Sequence, residues 1–224
     1  MIDLHTHILP NVDDGASSLA LAIEMVEEEI NNNVDEIILT PHYFKNEFNF
    51  VDKNKLIEAF NSLKKECSHL NIKLTLGAEL YFSKEVYNEL KSHNSITLGD
   101  TNYVLIEFSL IQCFYDIVSI IDELVYLGYR PILAHPERYN YLSIKDIENI
   151  VNLGGFIQIN TSSILGDFGH NIKKKTEQLL KHKLVHFVSS DCHDMSVRKP
   201  NLKTTLELIK KKYKIEFNNN IYEW

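Results

Sequence analysis

Cysteine is scarce in this 224-residue chain: Cys67, Cys113 and Cys192 are an odd set with no C-x-x-C pair. That removes the basis for a disulfide framework and fits a reducing cytosol. Eight glycines and five prolines are too few for a collagen-like or linker-dominated chain. Basic charge is in deficit, with Lys+Arg 23 against Asp+Glu 31 and a formal net charge of −8, so gripping nucleic acid by bulk charge is not expected. No stretch approaches the roughly 18 consecutive apolar residues of a membrane-spanning helix. Asp3, His5 and His7 stand where a secretory signal would carry a basic and then an apolar region. A cytoplasmic protein that does not insert into a membrane is expected. Hydrophobic residues at 44% and charged residues at 24% are ordinary globular usage, and the length suits a single domain over residues 1–224.

Short apolar runs alternate with amphipathic stretches. Strands are expected at Ile2–His5, Glu36–Thr40, Lys73–Glu79, Tyr103–Phe108, Arg130–Ala134, Phe156–Asn160 and Val185–Ser190, each rich in Ile, Leu, Val or Phe as strands buried on both faces are. Leu19, Ala22, Ile23, Val26 and Ile30 share one helix face behind Ser17 and Ser18, either of which can cap it. Leu56, Ile57, Phe60, Leu63 and Cys67 form a second such face. Further helices are expected at Lys84–Leu90 behind Ser83, at Ile117–Leu127, from Ser143 to a left-handed cap near Gly154, at Lys173–Lys181 and at Leu202–Lys212. Seven strand–helix repeats imply a parallel α/β protein, and periodicity alone does not separate a closed barrel from an open sheet.

The ionisable residues make that choice. His5 and His7 end the first strand, His42 follows the second, Glu79 ends the third, Glu107 lies near the end of the fourth, His135 follows the fifth, and Asp191 and His193 follow the seventh. Six of seven strands thus deliver a His or a carboxylate at the C-terminal end, which in a barrel is one mouth. His69, His93, His170, His182 and His186 lie elsewhere in this pattern and are read as surface or structural. His5-x-His7 and Asp191-x-His193 each put two side chains on one side of an extended segment, able to share a cation. Asp14, before Gly15 in the first loop, completes nine donors. Asp14, Glu79, Glu107 and Asp191 would repel one another without cations. Two divalent ions balance them and three leave a surplus attractive to phosphate; nine donors accommodate either number. An all-nitrogen-and-oxygen set suits Mn²⁺, Fe²⁺ or Zn²⁺, and clustered ions suit phosphate-ester hydrolysis.

Arg138 and Arg198, close behind His135 and His193, are expected to hold phosphoryl oxygens. Tyr43, Phe44, Tyr81, Phe82 and Tyr139 are expected to wall a pocket for an aromatic leaving group. Cys192 and Arg198 also spell the C-x5-R of thiolate phosphatases, but the intervening His-Asp-Met-Ser-Val has no glycine for close backbone approach, and Asp194 would repel phosphate. The metal set alone fits other phosphoesterases equally, histidinol-phosphate hydrolysis among them, and would also serve a non-catalytic phosphopeptide-binding module.

His5-Thr6-His7, Asp13-Asp14-Gly15, Thr40-Pro41-His42, Gly77-Ala78-Glu79, Ile106-Glu107-Phe108, Ala134-His135-Pro136-Glu137-Arg138 and Ser190-Asp191-Cys192-His193 resemble the polymerase-and-histidinol-phosphatase (PHP) superfamily, in family order over residues 1 to about 200. Within it the sequence is most similar to the bacterial manganese-dependent tyrosine-protein phosphatases of capsule and exopolysaccharide operons, of CpsB/YwqE type. The resemblance implies a distorted seven-stranded TIM-like barrel with three metal ions on His5, His7, Asp14, His42, Glu79, Glu107, His135, Asp191 and His193, and with Arg138 and Arg198 on the phosphate. It implies as substrate the phosphotyrosine tail of a membrane-associated tyrosine kinase. The expected chemistry is direct attack on phosphorus by hydroxide generated on a metal. Homo-oligomerisation stays open at this stage.

Overall fold

The computed structural model describes residues 1–43, 52–111, 113 and 115–222. Nine parallel strand segments are found among them: β1 (Ile2–Thr6), β2 (Glu36–Leu39), β3 (His42–Tyr43), β4 (Lys73–Leu76), β5 (Glu79–Tyr81), β6 (Tyr103–Glu107), β7 (Arg130–Ala134), β8 (Phe156–Asn160) and β9 (Phe187–Ser189). They pair in the orders β1-β2-β4 and β3-β5-β6-β7-β8-β9. The helices are α1 (Leu19–Asn31), α2 (Lys53–Glu66), α3 (Lys84–Lys91), α4 (Ile117–Tyr126), α5 (Ile144–Asn152), α6 (Thr161–Leu165), α7 (His170–Lys181) and α8 (Leu202–Tyr213).

Seven expected strands become nine because the third splits and a short segment, β3, follows beyond the expected end of the second at Thr40. Pro41 has no N–H to give a ladder, so the second strand stops at Leu39 and resumes at His42. The third breaks at Gly77-Ala78, where a Cβ on Gly77 would lie 2.8 Å from the Leu98 side chain and 3.0 Å from that of Ile38. Hydrogen bonds bridge both breaks: Gly77 N–H donates to Leu39 O at 2.8 Å and Glu79 N–H to Pro41 O at 3.1 Å. These offsets divide the parallel strands into two sheets. On the other side, Thr6 forms a parallel bridge with Cys192, with His7 N–H donating to Cys192 O and Asp191 N–H to His5 O, both at 2.9 Å. The chain segment behind β9 therefore runs beside β1.

The strands bury both faces, as their apolar runs require. Ile37, Leu39, Val104, Ile106, Leu133, Ile157 and Val188 pack with Ala22, Met25, Leu56, Ile121 and Ile150 of the helices. The alternate residues Ile2, Leu4, Ile38, Tyr103, Leu105, Ile132, Ala134 and Phe187 form a second, smaller cluster on the face away from the helices. Glu107, on β6 after Tyr103 and Leu105, continues that second face by the two-residue strand period; Gln158 and Asn160 do the same on β8 after Phe156. An apolar lower interior thus passes into a polar rim at the C-terminal strand ends. Ser18, Ser83 and Ser143 cap α1, α3 and α5 as their positions imply, Ser143 in a full capping box with Asp146. Gly154 takes the left-handed conformation (φ 95°) behind α5. The one-turn helix α6 was not foreseen. None of the helices among the described residues is long and apolar enough to cross a membrane.

Candidate metal centre

All nine expected donors meet at the C-terminal strand ends. They fall into overlapping sets whose donor atoms lie within 4.8 Å of one another: His7, Asp14, His42 and His193; His5, His135 and Asp191; His5, His7 and Glu79; His42, Glu79 and Glu107. The Nε2 atoms of His5 and His7 face each other at 3.2 Å, and Asp191 Oδ1 lies 3.4 Å from both. Glu79 is the hub. Its Oε1 is 3.0 Å from His135 Nε2 and 3.4 Å from His5 Nε2; its Oε2 is 2.8 Å from His42 Nδ1 and 3.4 Å from His7 Nε2. His69, His93, His170, His182 and His186 belong to none of these sets among the described residues; His186 instead accepts the Ile157 N–H at 3.2 Å.

The surrounding hydrogen bonds aim these groups inward. His5 Nδ1 donates to Gln158 Oε1 at 3.0 Å, His7 Nδ1 to Asp13 Oδ2 at 2.7 Å and His193 Nδ1 to Asp191 O at 3.0 Å, so each neutral ring presents an Nε2 lone pair to the centre. Gln158 Nε2 donates to Asn160 Oδ1 at 2.8 Å, and Asn160 Nδ2 to Asp191 Oδ2 at 2.6 Å. β8, which offers no His or carboxylate of its own, thus supplies the amides that orient His5 and Asp191. Two polar residues at i and i+2 near the end of an otherwise apolar strand were the available signal.

Adjacent aspartates divide their work: Asp13 supports His7, while Asp14 reaches His42 Nε2 and His193 Nε2, both at 3.4 Å. The loop can turn so tightly because of Gly15, where a Cβ would lie 2.0 Å from the His7 carbonyl oxygen. His135 and Asp191 both adopt left-handed backbone (φ 33° and 51°), at a cost of about 1–3 kcal/mol each, and such strain concentrates at functional sites.

Electrostatics makes these nine groups a poor resting arrangement by themselves. Burial acts to raise the Glu79 carboxyl, but the His5 and His42 imidazoles hold it well below the ordinary range. Asp191 is likewise held well down against its burial, by Arg198 and then His5. Burial opposes protonation of His42, yet Glu79 pushes it up to about 9. His7 is raised well above its ordinary value against burial, chiefly by Asp13. His135 goes the other way, pushed down to about 4 by burial, with Arg138 contributing. Glu79 Oε2 and His193 Nε2 are buried without a hydrogen bond. Five imidazoles and four carboxylates converging with no thiolate, buried atoms among them left unsatisfied, fit hard or borderline divalent cations.

Sequence and structure comparisons point the same way. Residues 1–223 match the family model for capsular polysaccharide synthesis proteins, CpsB/CapC. The chain belongs to the CpsB/CapC family. It is 33% identical to the tyrosine-protein phosphatase CpsB of Streptococcus agalactiae, over 99% of this chain and 95% of that one. It is 34% identical to the tyrosine-protein phosphatase YwqE of Bacillus subtilis, over 95% and 85% respectively. A crystal structure from work on YwqE of B. subtilis and CpsB of Streptococcus pneumoniae, described as unique metal-dependent tyrosine phosphatases, superposes with a TM-score of 0.89 at 31% identity, covering 96% of this chain and 89% of the other.

In this CpsB/CapC chain the two arginines stand at the rim. Arg198 Nη2 donates to Asp191 Oδ2 at 2.6 Å, and Arg138 Nη1 lies 3.8 Å from the same oxygen, with the guanidinium 4.8 Å from the Phe168 ring centre. The aromatic wall needs correction. Tyr43, Phe82 and Tyr139 are buried, and Tyr81 is half-buried. Phe82 packs on Phe108 and Tyr115 at 5.0 and 4.9 Å, because loop aromatics gain more by covering the core than by facing water. Phe44 lies outside the described residues. Phe168, overlooked in the sequence, is the ring against Arg138.

The thiolate alternative fails on geometry. Cys192 is fully buried, its thiol points at Glu29 Oε1 (3.7 Å), and burial followed by Glu29 pushes it well above the ordinary thiol range. Asp194 Oδ1 accepts the amides of Ser196, Val197 and Arg198 at 2.6, 2.7 and 3.3 Å, so those N–H groups are not available to cradle phosphate. Cys192→Ser, whose hydroxyl can keep the contact with Glu29, is expected to retain phosphatase turnover within about threefold. Loss of turnover with metal content unchanged would return the thiol to the mechanism; parallel kinetics and elemental analysis decide.

Proposed function

We propose that this chain is a single-domain, cytoplasmic, metal-dependent protein-tyrosine phosphatase. Its substrate is the phosphotyrosine tail of a membrane-associated bacterial tyrosine kinase, through which it regulates capsular or exopolysaccharide synthesis. His5, His7, Asp14, His42, Glu79, Glu107, His135, Asp191 and His193 are its metal ligands, for three divalent ions, Mn²⁺ in preference to Fe²⁺ or Zn²⁺. The observation that carries the reading is the convergence of these donors in overlapping sets with Arg138 and Arg198 directed at Asp191 from the rim.

Bound divalent ions would supply Lewis acidity and lower the pKa of water toward neutrality. The protein's own groups do the rest. Arg138 and Arg198 take the non-bridging phosphoryl oxygens, matching the planar guanidinium fork to the charge that spreads over them in the transition state. Gln158, Asn160 and Asp13 hold the ligand side chains in place, so little reorganisation accompanies reaction. Phenolate, whose conjugate acid has a pKa of about 10, leaves without a strong general acid. The buried Cys192 takes no part, and displacement by water is direct.

Elemental analysis joined to turnover of a phosphotyrosine peptide, with and without chelator, tests this. Histidinol phosphate and single-stranded DNA serve as competing substrates. Bound divalent ions with chelator-sensitive hydrolysis of the phosphotyrosine peptide are expected. Preference for histidinol phosphate would reassign the substrate, and phosphopeptide binding without phosphate release would make the protein a binding module.

A further inference from the structure

Lys175 lies in the middle of α7, where a lysine ordinarily reaches for solvent. Here its Nζ donates to three backbone carbonyls of one loop: Pro136 O at 2.9 Å, Tyr139 O at 2.6 Å and Leu142 O at 2.8 Å. An ammonium has three N–H donors, and all three are spent on this loop. Burial pulls the Lys175 ammonium down to about 8, with Glu137 and Asp146 partly offsetting it. Taking a charge partly out of water to hold main-chain oxygens is a costly way to secure an ordinary surface loop.

The loop is not ordinary. It starts at His135 in the left-handed conformation, makes a single 3-10 turn over Pro136–Arg138, and carries Arg138 between two of the carbonyls that Lys175 grips. Its other anchors lie to either side. Glu137 Oε1 accepts the Asn160 N–H at 2.9 Å, and the Tyr139 hydroxyl accepts the Phe108 N–H at 3.0 Å. The Arg138 side chain is steered by the Phe168 ring and lies 3.8 Å from Asp191. Its backbone position is set by Lys175, on an element that contributes none of the nine candidate ligands.

We propose that Lys175 is a positioning residue for catalysis, fixing the loop so that the Arg138 guanidinium meets the phosphoryl group in the transition state. The proposal rests on the reading of Arg138 as a phosphate-holding arginine. A displacement of about 1 Å in such a group is enough to lower the rate on the order of 100-fold.

The test is a double-mutant cycle on the metal-loaded full chain, with Lys175→Met, Arg138→Ala and the double variant assayed on phosphotyrosine peptide and analysed for metal. Lys175→Met is expected to lower kcat by about 10- to 100-fold at unchanged metal content. In the Arg138→Ala background the same change is expected to cost less than about twofold, because the group through which it acts has gone. An undiminished loss in that background would make Lys175 a structural residue and overturn the proposal while leaving the arginine reading intact. So would loss of metal from the single variant, or unchanged turnover. Equal turnover of Arg138→Ala and the parent would remove the arginine reading and this inference with it. If Lys175→Met does not fold, Lys175→Gln, which keeps two donors for the carbonyls, takes its place in the cycle. Failure of both to fold would also overturn the proposal.

Discussion

Glu79→Ala is expected to leave no measurable phosphotyrosine turnover and to strip divalent ions from the protein. Glu79 is fully buried and approaches four imidazoles, those of His5, His7, His42 and His135, within 2.8 to 3.4 Å. It belongs to two of the four donor sets, which between them share His5, His7 and His42 with the other two. Removing it takes from the centre the carboxylate that lies among four imidazoles, and leaves those buried rings without the charge that would favour cations beside them. The loss therefore arises from vacated metal positions and not from one missing proton-transfer group. Elemental analysis of purified Glu79→Ala and Glu79→Gln, beside turnover, checks this. A variant with full metal content and no activity would make Glu79 a group of the chemical step, and one retaining activity would dismantle the proposed centre.

The second large effect is on metal affinity, which is expected to rise more than tenfold per pH unit between about pH 6.5 and 9. Without metal, Glu79 pushes His42 up to about 9 and the neighbouring carboxylates also raise His5 and His7, so protons compete with a cation for these rings. One displaced proton corresponds to a tenfold change per unit, and the raised histidines can supply more than one. Competition against a chelator of known affinity at several pH values, with proton release measured alongside, provides the check. An affinity that stays flat across this window would contradict the ligand assignment.

The same shifts govern the stability of chelated protein. His42, raised from 6.5 to about 9 on folding, contributes stability in full below pH 6.5, and loses it as pH rises through 9. His135, lowered from 6.5 to about 4, contributes above pH 6.5 and loses that contribution as pH falls toward 4. Melting temperature without metal is expected to fall on both sides of a neutral optimum. Ions at about a thousandfold their Kd add about 4 kcal/mol in the folded state.

Much of the fold was legible because its signals are local. Apolar runs marked the ladder, and serines before amphipathic stretches marked helix starts. The short segment after Pro41 and the split at Gly77 were not read, although both residues stood in view, because a broken and a continuous strand share one hydrophobic pattern. The aromatic loop residues were misplaced for a related reason: a sequence does not say whether Phe82 turns toward water or toward Phe108.

Composition and spacing by themselves determined the chemical character of the centre, with nitrogen and oxygen donors at the strand ends and two arginines behind them. Only the tertiary structure decided that Asp13 supports while Asp14 faces the centre, that the amides of β8 align His5 and Asp191, and that Lys175 grips the loop of Arg138. Residue type and periodicity are properties of neighbours along the chain. The distances among His5, Glu79, His135 and Asp191 depend on how far-separated strands twist and stagger against one another, which no short window of sequence contains.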